Sequence, residues 1–229
     1  MLPRPVRNVM NVASEASVLA SVTTTRHRLR GLYVITPDGL STEHLLTRVR
    51  AAVAGGAAFV QYRNKSADKR LARDQAQALT AIVRPAQLII NDDLALALEV
   101  DADGLHLGAT DGDLAAARRQ LGPHKLLGAS AYNQVGLAQA AVAAGADYVA
   151  FGSVYASTTK PHAVRAPLAL FAQARGALAV PLCAIGGITH ANARATVAAG
   201  ADMIAVLSAV FDAPDVAAAA SEFAKEFSS

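Results

Sequence analysis

An α/β barrel of eight strand–helix units, the (β/α)8 TIM barrel, is the fold class this sequence predicts. Three observations point to it. From Gly31 onward, short apolar runs alternate with Ala/Leu/Arg-rich stretches of helical spacing. The apolar runs lack polar alternation, as expected of parallel strands covered by helices on both faces. A module of helix end, glycine, Ala-Asp and strand also recurs, as "AAGADYVAFGS" (143–153) and "AAGADMIAVLS" (198–208), with looser copies at 52–62 and 99–108.

The strands are expected at "GLYVIT" (31–36), "AAFVQY" (57–62), "QLIIN" (87–91) and "DGLHL" (103–107). They continue at "KLLGAS" (125–130), "DYVAFG" (147–152), "PLCAIG" (181–186) and "DMIAVLS" (202–208). Segments such as 41–54, 67–83, 133–144 and 166–175 carry the helical spacing between them. The repeated glycine suits a helix C′ position, where positive φ is needed. Eight such units within about 200 residues describe a barrel. A doubly wound open sheet is the competitor, but it usually has fewer strands, and no switch point can be located. The expectation is one domain, residues 31–229, behind a poorly ordered N-terminal extension, residues 1–30.

The chain is 53% hydrophobic, much of it alanine, yet no uncharged apolar run reaches the roughly eighteen residues a membrane span needs. The net charge is +3, and the first thirty residues alone hold five arginines and one acid, leaving about −1 by subtraction for residues 31–229. The basic pI near 9.2 therefore belongs to the arm, and the body offers no basic face for nucleic acid. The arm loosely resembles a transit peptide but lacks an apolar secretory core. A single cysteine, Cys183, permits no intrachain disulfide, which fits a reducing compartment, and a cytoplasmic location is expected.

In such a barrel, functional residues belong at the C-terminal strand ends. "QYRNK" (61–65) follows the second strand, and alternation would aim Gln61, Arg63 and Lys65 at one place. A guanidinium fork and an ammonium suit phosphate oxygens, although a solvated polar loop reads similarly. After the third strand come Asn91 and Asp92, with Asp93 free to cap the next helix; after the fourth comes Asp111. Two carboxylates beside cationic residues suit Mg²⁺, whose octahedron substrate phosphates and water complete. His106 lies between leucines and reads as a buried, hydrogen-bonded side chain, and Cys183 reads as core. Ser130 ends the fifth strand, and "STTK" (157–160) sets three hydroxyls beside an ammonium after the sixth. "AIGGI" (184–188) and "AVLSA" (205–209) follow the last two strands, in the pattern of the recurrent barrel phosphate site.

Taken together, "VQYRNK", "IINDD", "DGLHLGATD", "GAS", "DYVAFGSVYASTTK", "AIGGI" and "AVLSA" resemble, in order and spacing, the thiamine-phosphate synthase family over about residues 31–225. The resemblance implies a Mg²⁺-dependent transferase that joins a hydroxymethylpyrimidine diphosphate to a thiazole phosphate. It implies pyrimidine-diphosphate contacts from Gln61, Arg63, Lys65, Asn91, Ser130 and Lys160, with Arg63, Lys65 and Lys160 catalytic. It implies Mg²⁺ on Asp92 and Asp111, and a thiazole-phosphate site of Ser157, Thr158, Thr159, Gly187, Leu207 and Ser208. Small phosphorylated molecules are the expected partners, with neither nucleic acid nor membrane, and homo-oligomerisation is left open.

The chain departs from the family pattern in three places. Ser157 stands where the first threonine of Thr-x-Thr-Lys is usual, Tyr132 stands where a histidine is common, and "GATD" replaces Gly-Gln-x-Asp. A thiazole tautomerase-like barrel, or a non-catalytic phosphate-binding paralogue, is the alternative. The first is expected to use the histidine that Tyr132 replaces, and the second to have lost a magnesium carboxylate or Lys160.

Overall fold

The computed structural model describes residues 29–108, 111–156 and 164–228. The strands are β1 (Gly31–Ile35), β2 (Ala57–Tyr62), β3 (Gln87–Asn91), β4 (Gly104–Leu107), β5 (Leu126–Tyr132), β6 (Tyr148–Gly152), β7 (Leu182–Ile185) and β8 (Met203–Val206). All pair in parallel in chain order, and β8 closes onto β1 through Gly31↔Met203 and Val34↔Val206. The helices are α1 (Thr42–Ala54), α2 (Lys69–Thr80), α3 (Leu94–Glu99), α4 (Leu114–Leu121), α5 (Val135–Ala143), α6 (Ala169–Ala177), α7 (His190–Ala198), α8 (Ser208–Phe211) and α9 (Val216–Lys225). The (β/α)8 barrel is therefore the fold.

Each strand is apolar on both faces for a visible reason. Tyr33 and Ile35 point into the barrel with Phe59, Ile89, Tyr148, Cys183 and Met203, while Leu32 and Val34 face the helical layer. Burying one such large side chain is worth about 1.5–3 kcal/mol, so a one-residue register slip would exchange two differently shaped cores. Leu29, 2% exposed, joins the interior cluster, and Arg30 lies over the Phe227 ring at 5.4 Å. The described barrel thus begins two residues before the expected boundary; residues 1–28 of the expected extension lie outside the described residues.

Element ends follow local chemistry. The Asp68, Asp93, Asp113 and Asp215 side chains accept backbone N–H groups at the starts of α2, α3, α4 and α9. Asp93 is thus the helix cap its position suggested. α6 begins behind Pro167. β5 runs two residues beyond expectation, to Tyr132, through an irregularity after Ser130. β8 stops earlier, at Val206, because Leu207 (φ −117°, ψ −83°) leaves extended geometry and Ser208 opens α8.

The recurring Ala-Asp also finds its explanation. Asp103, Asp147 and Asp202 precede β4, β6 and β8, and each carboxylate accepts the backbone N–H of the preceding strand, from Leu88, Leu127 and Leu182, at 2.8 Å. Each is also paired with an arginine, Arg84, Arg118 and Arg175 respectively. The repeat therefore builds the N-terminal end of the barrel and leaves the other end for chemistry.

Candidate active site

The C-terminal mouth collects polar side chains from successive strands. Gln61, near the end of β2, is buried at 5% exposure, and its Nε2 donates to the Tyr33 hydroxyl at 3.0 Å. β2 ends at Tyr62, so strict alternation stops there and Arg63 is held by other means. Its backbone N–H donates to Thr36 Oγ1 at 3.0 Å, and its guanidinium pairs with Asp38. The second Asp38 oxygen accepts the Lys65 backbone N–H at 3.0 Å. Lys65 itself is exposed. Gln61, Arg63 and Lys65 thus share one strand end but divide between the barrel interior and its rim.

Thr36 and Asp38, in the loop after β1, went unnoticed in the sequence. The strand-end rule, applied to β1 as to its neighbours, was the signal that could have found them.

Asn91 and Asp92 leave β3 side by side. Asp92 has φ +63°, a left-handed conformation that aspartate tolerates better than bulkier residues, and its N–H donates to the His106 carbonyl at 2.9 Å. That bend brings its carboxylate beside Asp111, from the loop after β4. Partial burial and the Asp111 charge raise the Asp92 titration point, against opposing hydrogen bonds from the Asn91 amide (2.6 Å) and the Gly108 N–H. A Cβ on Gly108 would collide with the Asp111 carboxylate, so glycine is what lets that side chain lie over the strand end. Among the described residues no group of three His, Cys, Asp or Glu side chains gathers to cage a metal. The donor set is a pair of hard oxygen ligands, which suits Mg²⁺ in a site completed by substrate and water.

Ser130 on β5 lies 2.9 Å from His106 Nε2. His106 is 8% exposed, as expected of a buried hydrogen-bonded histidine, and burial pushes its imidazole down to about 4. Tyr132 ends β5 with φ +52° and 41% exposure at the rim. Cys183 is buried, and desolvation raises its thiol well above the ordinary range. It is core, as its apolar neighbours suggested.

Across the mouth, Gly186 and Gly187 follow β7 with φ +100° and +64°. The Gly186 carbonyl accepts the Tyr155 N–H at 3.0 Å, and a Cβ on Gly187 would run into the Ala156 carbonyl. Glycine here allows the chain after β6 to press on the chain after β7. Leu207 and the half-buried Ser208 follow β8. Ser157, Thr158, Thr159 and Lys160 lie outside the described residues; Ala156, directly before them, is the residue pressed against Gly187. A cleft of about 550 Å³ between α2 and α3 is spanned by the ion pairs Lys69–Asp93 and Arg73–Glu99.

No helix among the described residues is long and apolar enough to cross a membrane. The family model described as thiamine monophosphate synthase matches residues 32–210. A thiamine-phosphate synthase of Aromatoleum aromaticum is 55% identical over 198 residues, covering 86% of this chain and 95% of the relative. One from Methylobacillus flagellatus is 52% identical over 208 residues, covering 89% of this chain and 99% of the relative. Among solved structures, the thiamine phosphate pyrophosphorylase of Pyrococcus furiosus superimposes with a TM-score of 0.78 at 36% identity, over 89% of this chain and 97% of that one. A 3-hexulose-6-phosphate synthase, at 20% identity and TM-score 0.67, shares the fold. With the family model spanning most of the barrel and relatives more than half identical over nearly their whole length, this chain belongs to the thiamine monophosphate synthase family of transferases.

Proposed function

We propose that this chain couples 4-amino-2-methyl-5-(diphosphooxymethyl)pyrimidine to a thiazole phosphate, releasing thiamine phosphate and pyrophosphate. The observation that carries the residue-level reading is the Asp92–Asp111 pair. These two acids come from adjacent strand ends, and among the described residues the charge facing Asp92 is another carboxylate and not a cation. Such an arrangement calls for a divalent ion. Asp92 and Asp111 would hold Mg²⁺, which supplies charge neutralisation to a bound diphosphate.

The protein's own work is positioning and electrostatics. Arg63, Lys65 and Lys160 offset the negative charge that grows on the leaving diphosphate as the methylene C–O bond breaks and its electrons pass to oxygen. The Asp38 tether holds the Arg63 guanidinium in place before substrate arrives. Gln61, Asn91 and Ser130 orient the pyrimidine diphosphate. The amino group of the pyrimidine stabilises the resulting methylene cation, and the thiazole nitrogen then forms the new C–N bond. No protein nucleophile is needed, which fits a mouth rich in donors and a cysteine locked in the core. Ser157, Thr158, Thr159, Gly187, Leu207 and Ser208 receive the thiazole phosphate. The tight contact of Ala156 with Gly187 supports this, because it roots the hydroxyl-bearing loop beside the glycine turn.

The catalytic unit in this reading is the barrel, with the N-terminal arm dispensable and the cytoplasm its location. Purified protein incubated with both substrates and Mg²⁺ should form thiamine phosphate, detected by mass spectrometry. Absence of product with retained thiazole-phosphate binding overturns the reading in favour of a tautomerase-like or purely binding barrel.

A further inference from the structure

Five polar side chains from five strands form one unbroken hydrogen-bonded path through the barrel interior. It runs from Gln61 Nε2 to the Tyr33 hydroxyl (3.0 Å), then to the Tyr148 hydroxyl (2.9 Å). It continues to His106 Nδ1 (3.1 Å) and, from His106 Nε2, to Ser130 Oγ (2.9 Å). Tyr33, Tyr148 and His106 are 2%, 1% and 8% exposed. They sit among Phe59, Ile89 and Met203, where a polar group without a partner costs about 1–3 kcal/mol. Gly128 makes the path sterically open, because a Cβ there would run into the Tyr148 ring and hydroxyl.

Counting hydrogens gives the path a direction. The Gln61 amide nitrogen can only donate, so the Tyr33 oxygen accepts from it. If Tyr148 also donated to Tyr33, the Tyr33 hydrogen would be left in the apolar interior without an acceptor. The satisfied arrangement has Tyr33 donating to Tyr148 and Tyr148 donating to His106 Nδ1. His106 then carries its hydrogen on Nε2 and donates it to Ser130 Oγ. One Ser130 lone pair is thus taken by His106, and its own hydrogen is left free to donate at the mouth.

We propose that Tyr33, Tyr148 and His106 are positioning residues whose buried relay commits Ser130 to act as a hydrogen-bond donor to the pyrimidine diphosphate and fixes the Gln61 carboxamide at the other end of the same path. This rests on the function proposed above. They act through Ser130 and Gln61. With the Gln61 amide nitrogen turned to Tyr33, the apolar shell keeps the relay from reversing, since each alternative strands a hydrogen inside it. Two substrate-facing groups on β2 and β5 are thereby set by one chain of bonds.

A double-mutant cycle on the full-length protein tests this. Tyr148→Phe keeps the ring and removes the middle link. It should lower kcat/KM for the pyrimidine diphosphate roughly 5- to 30-fold and leave KM for the thiazole phosphate near wild type. In a Ser130→Ala background the same change should cost clearly less than in wild type, because one of the two groups the relay orients is already gone. Equal losses in both backgrounds, or equal effects on both substrates, overturn the relay. If Tyr148→Phe does not fold by near-UV circular dichroism, Tyr33→Phe at the Gln61 end is read in a Gln61→Ala background by the same criterion. Wild-type protein that makes no thiamine phosphate defeats the functional reading instead, so the two failures are distinguishable.

Discussion

Arg175 and Asp202 form an ion pair at the N-terminal end of the barrel, and the same carboxylate accepts the Leu182 N–H at 2.8 Å, fastening the foot of β7 to that of β8. Arg118 and Asp147 repeat the arrangement between β5 and β6. In the third copy, Arg84 is more exposed and bonds Asp103 at 2.9 Å. These pairs lie at the end opposite the proposed site, so their loss should register in stability and not in turnover.

Asp202→Ala removes a largely shielded charge partner and strands the Leu182 N–H. A loss of about 2–4 kcal/mol is expected, or roughly 5–15 °C in Tm for a chain of this size. Turnover of the folded fraction at 25 °C should be within about twofold of wild type. Asp103→Ala, with a solvated arginine partner, should cost no more than about half as much. Thermal melts beside steady-state assays separate the two effects, and a Tm unchanged by Asp202→Ala contradicts this account of the repeat.

At the mouth, Asp92→Ala should lower turnover by at least about 100-fold, the scale of losing one electrostatic contact to a developing charge. The metal-free protein should respond in the opposite sense. Desolvation and Asp111 raise the Asp92 titration point in the folded state, so the folded protein holds this proton more tightly than the unfolded chain does. The stabilising contribution is complete below the unfolded pKa and is lost as pH rises through the folded one. Asp92→Asn should therefore raise the metal-free Tm at pH 7, with the gain shrinking as the solution is acidified past the Asp92 titration. Calorimetry at two pH values in chelator checks this, and a lower Tm at pH 7 counts against carboxylate repulsion.

Asp38 is expected to act through Arg63. Asp38→Ala frees the guanidinium and should lower kcat/KM for the pyrimidine diphosphate about 5- to 20-fold, with KM for the thiazole phosphate unchanged. Lys160→Ala should be more severe, at least about 100-fold in kcat, as expected of a cation proposed to offset the leaving-group charge. Near-normal rates in Lys160→Ala remove that residue from the mechanism.

Deleting residues 2–28 should leave kcat and KM within about twofold of wild type, because the described barrel closes from Leu29 onward. A large loss of activity in the truncated protein refutes a dispensable arm.

Much of this molecule was legible before any coordinates. Apolar runs without alternation, spaced by helices, are what strands buried on both faces must look like, and the family motifs that lie among the described residues fell at the strand ends the barrel rule names. Composition assigned the basic charge to the arm, and local grammar marked Asp93 as a cap. What only the tertiary structure decided are the relationships between residues far apart in the chain. Tyr33 and Tyr148, 115 positions apart, read as two more apolar strand residues until closure of the barrel set their hydroxyls 2.9 Å apart. Asp38 carried no expected role until β1 lay beside β2 and gave Arg63 its partner. The reason is physical: periodicity and propensity act over a few residues, whereas a buried hydroxyl or a shared charge finds its partner only when distant strands are brought into one closed sheet.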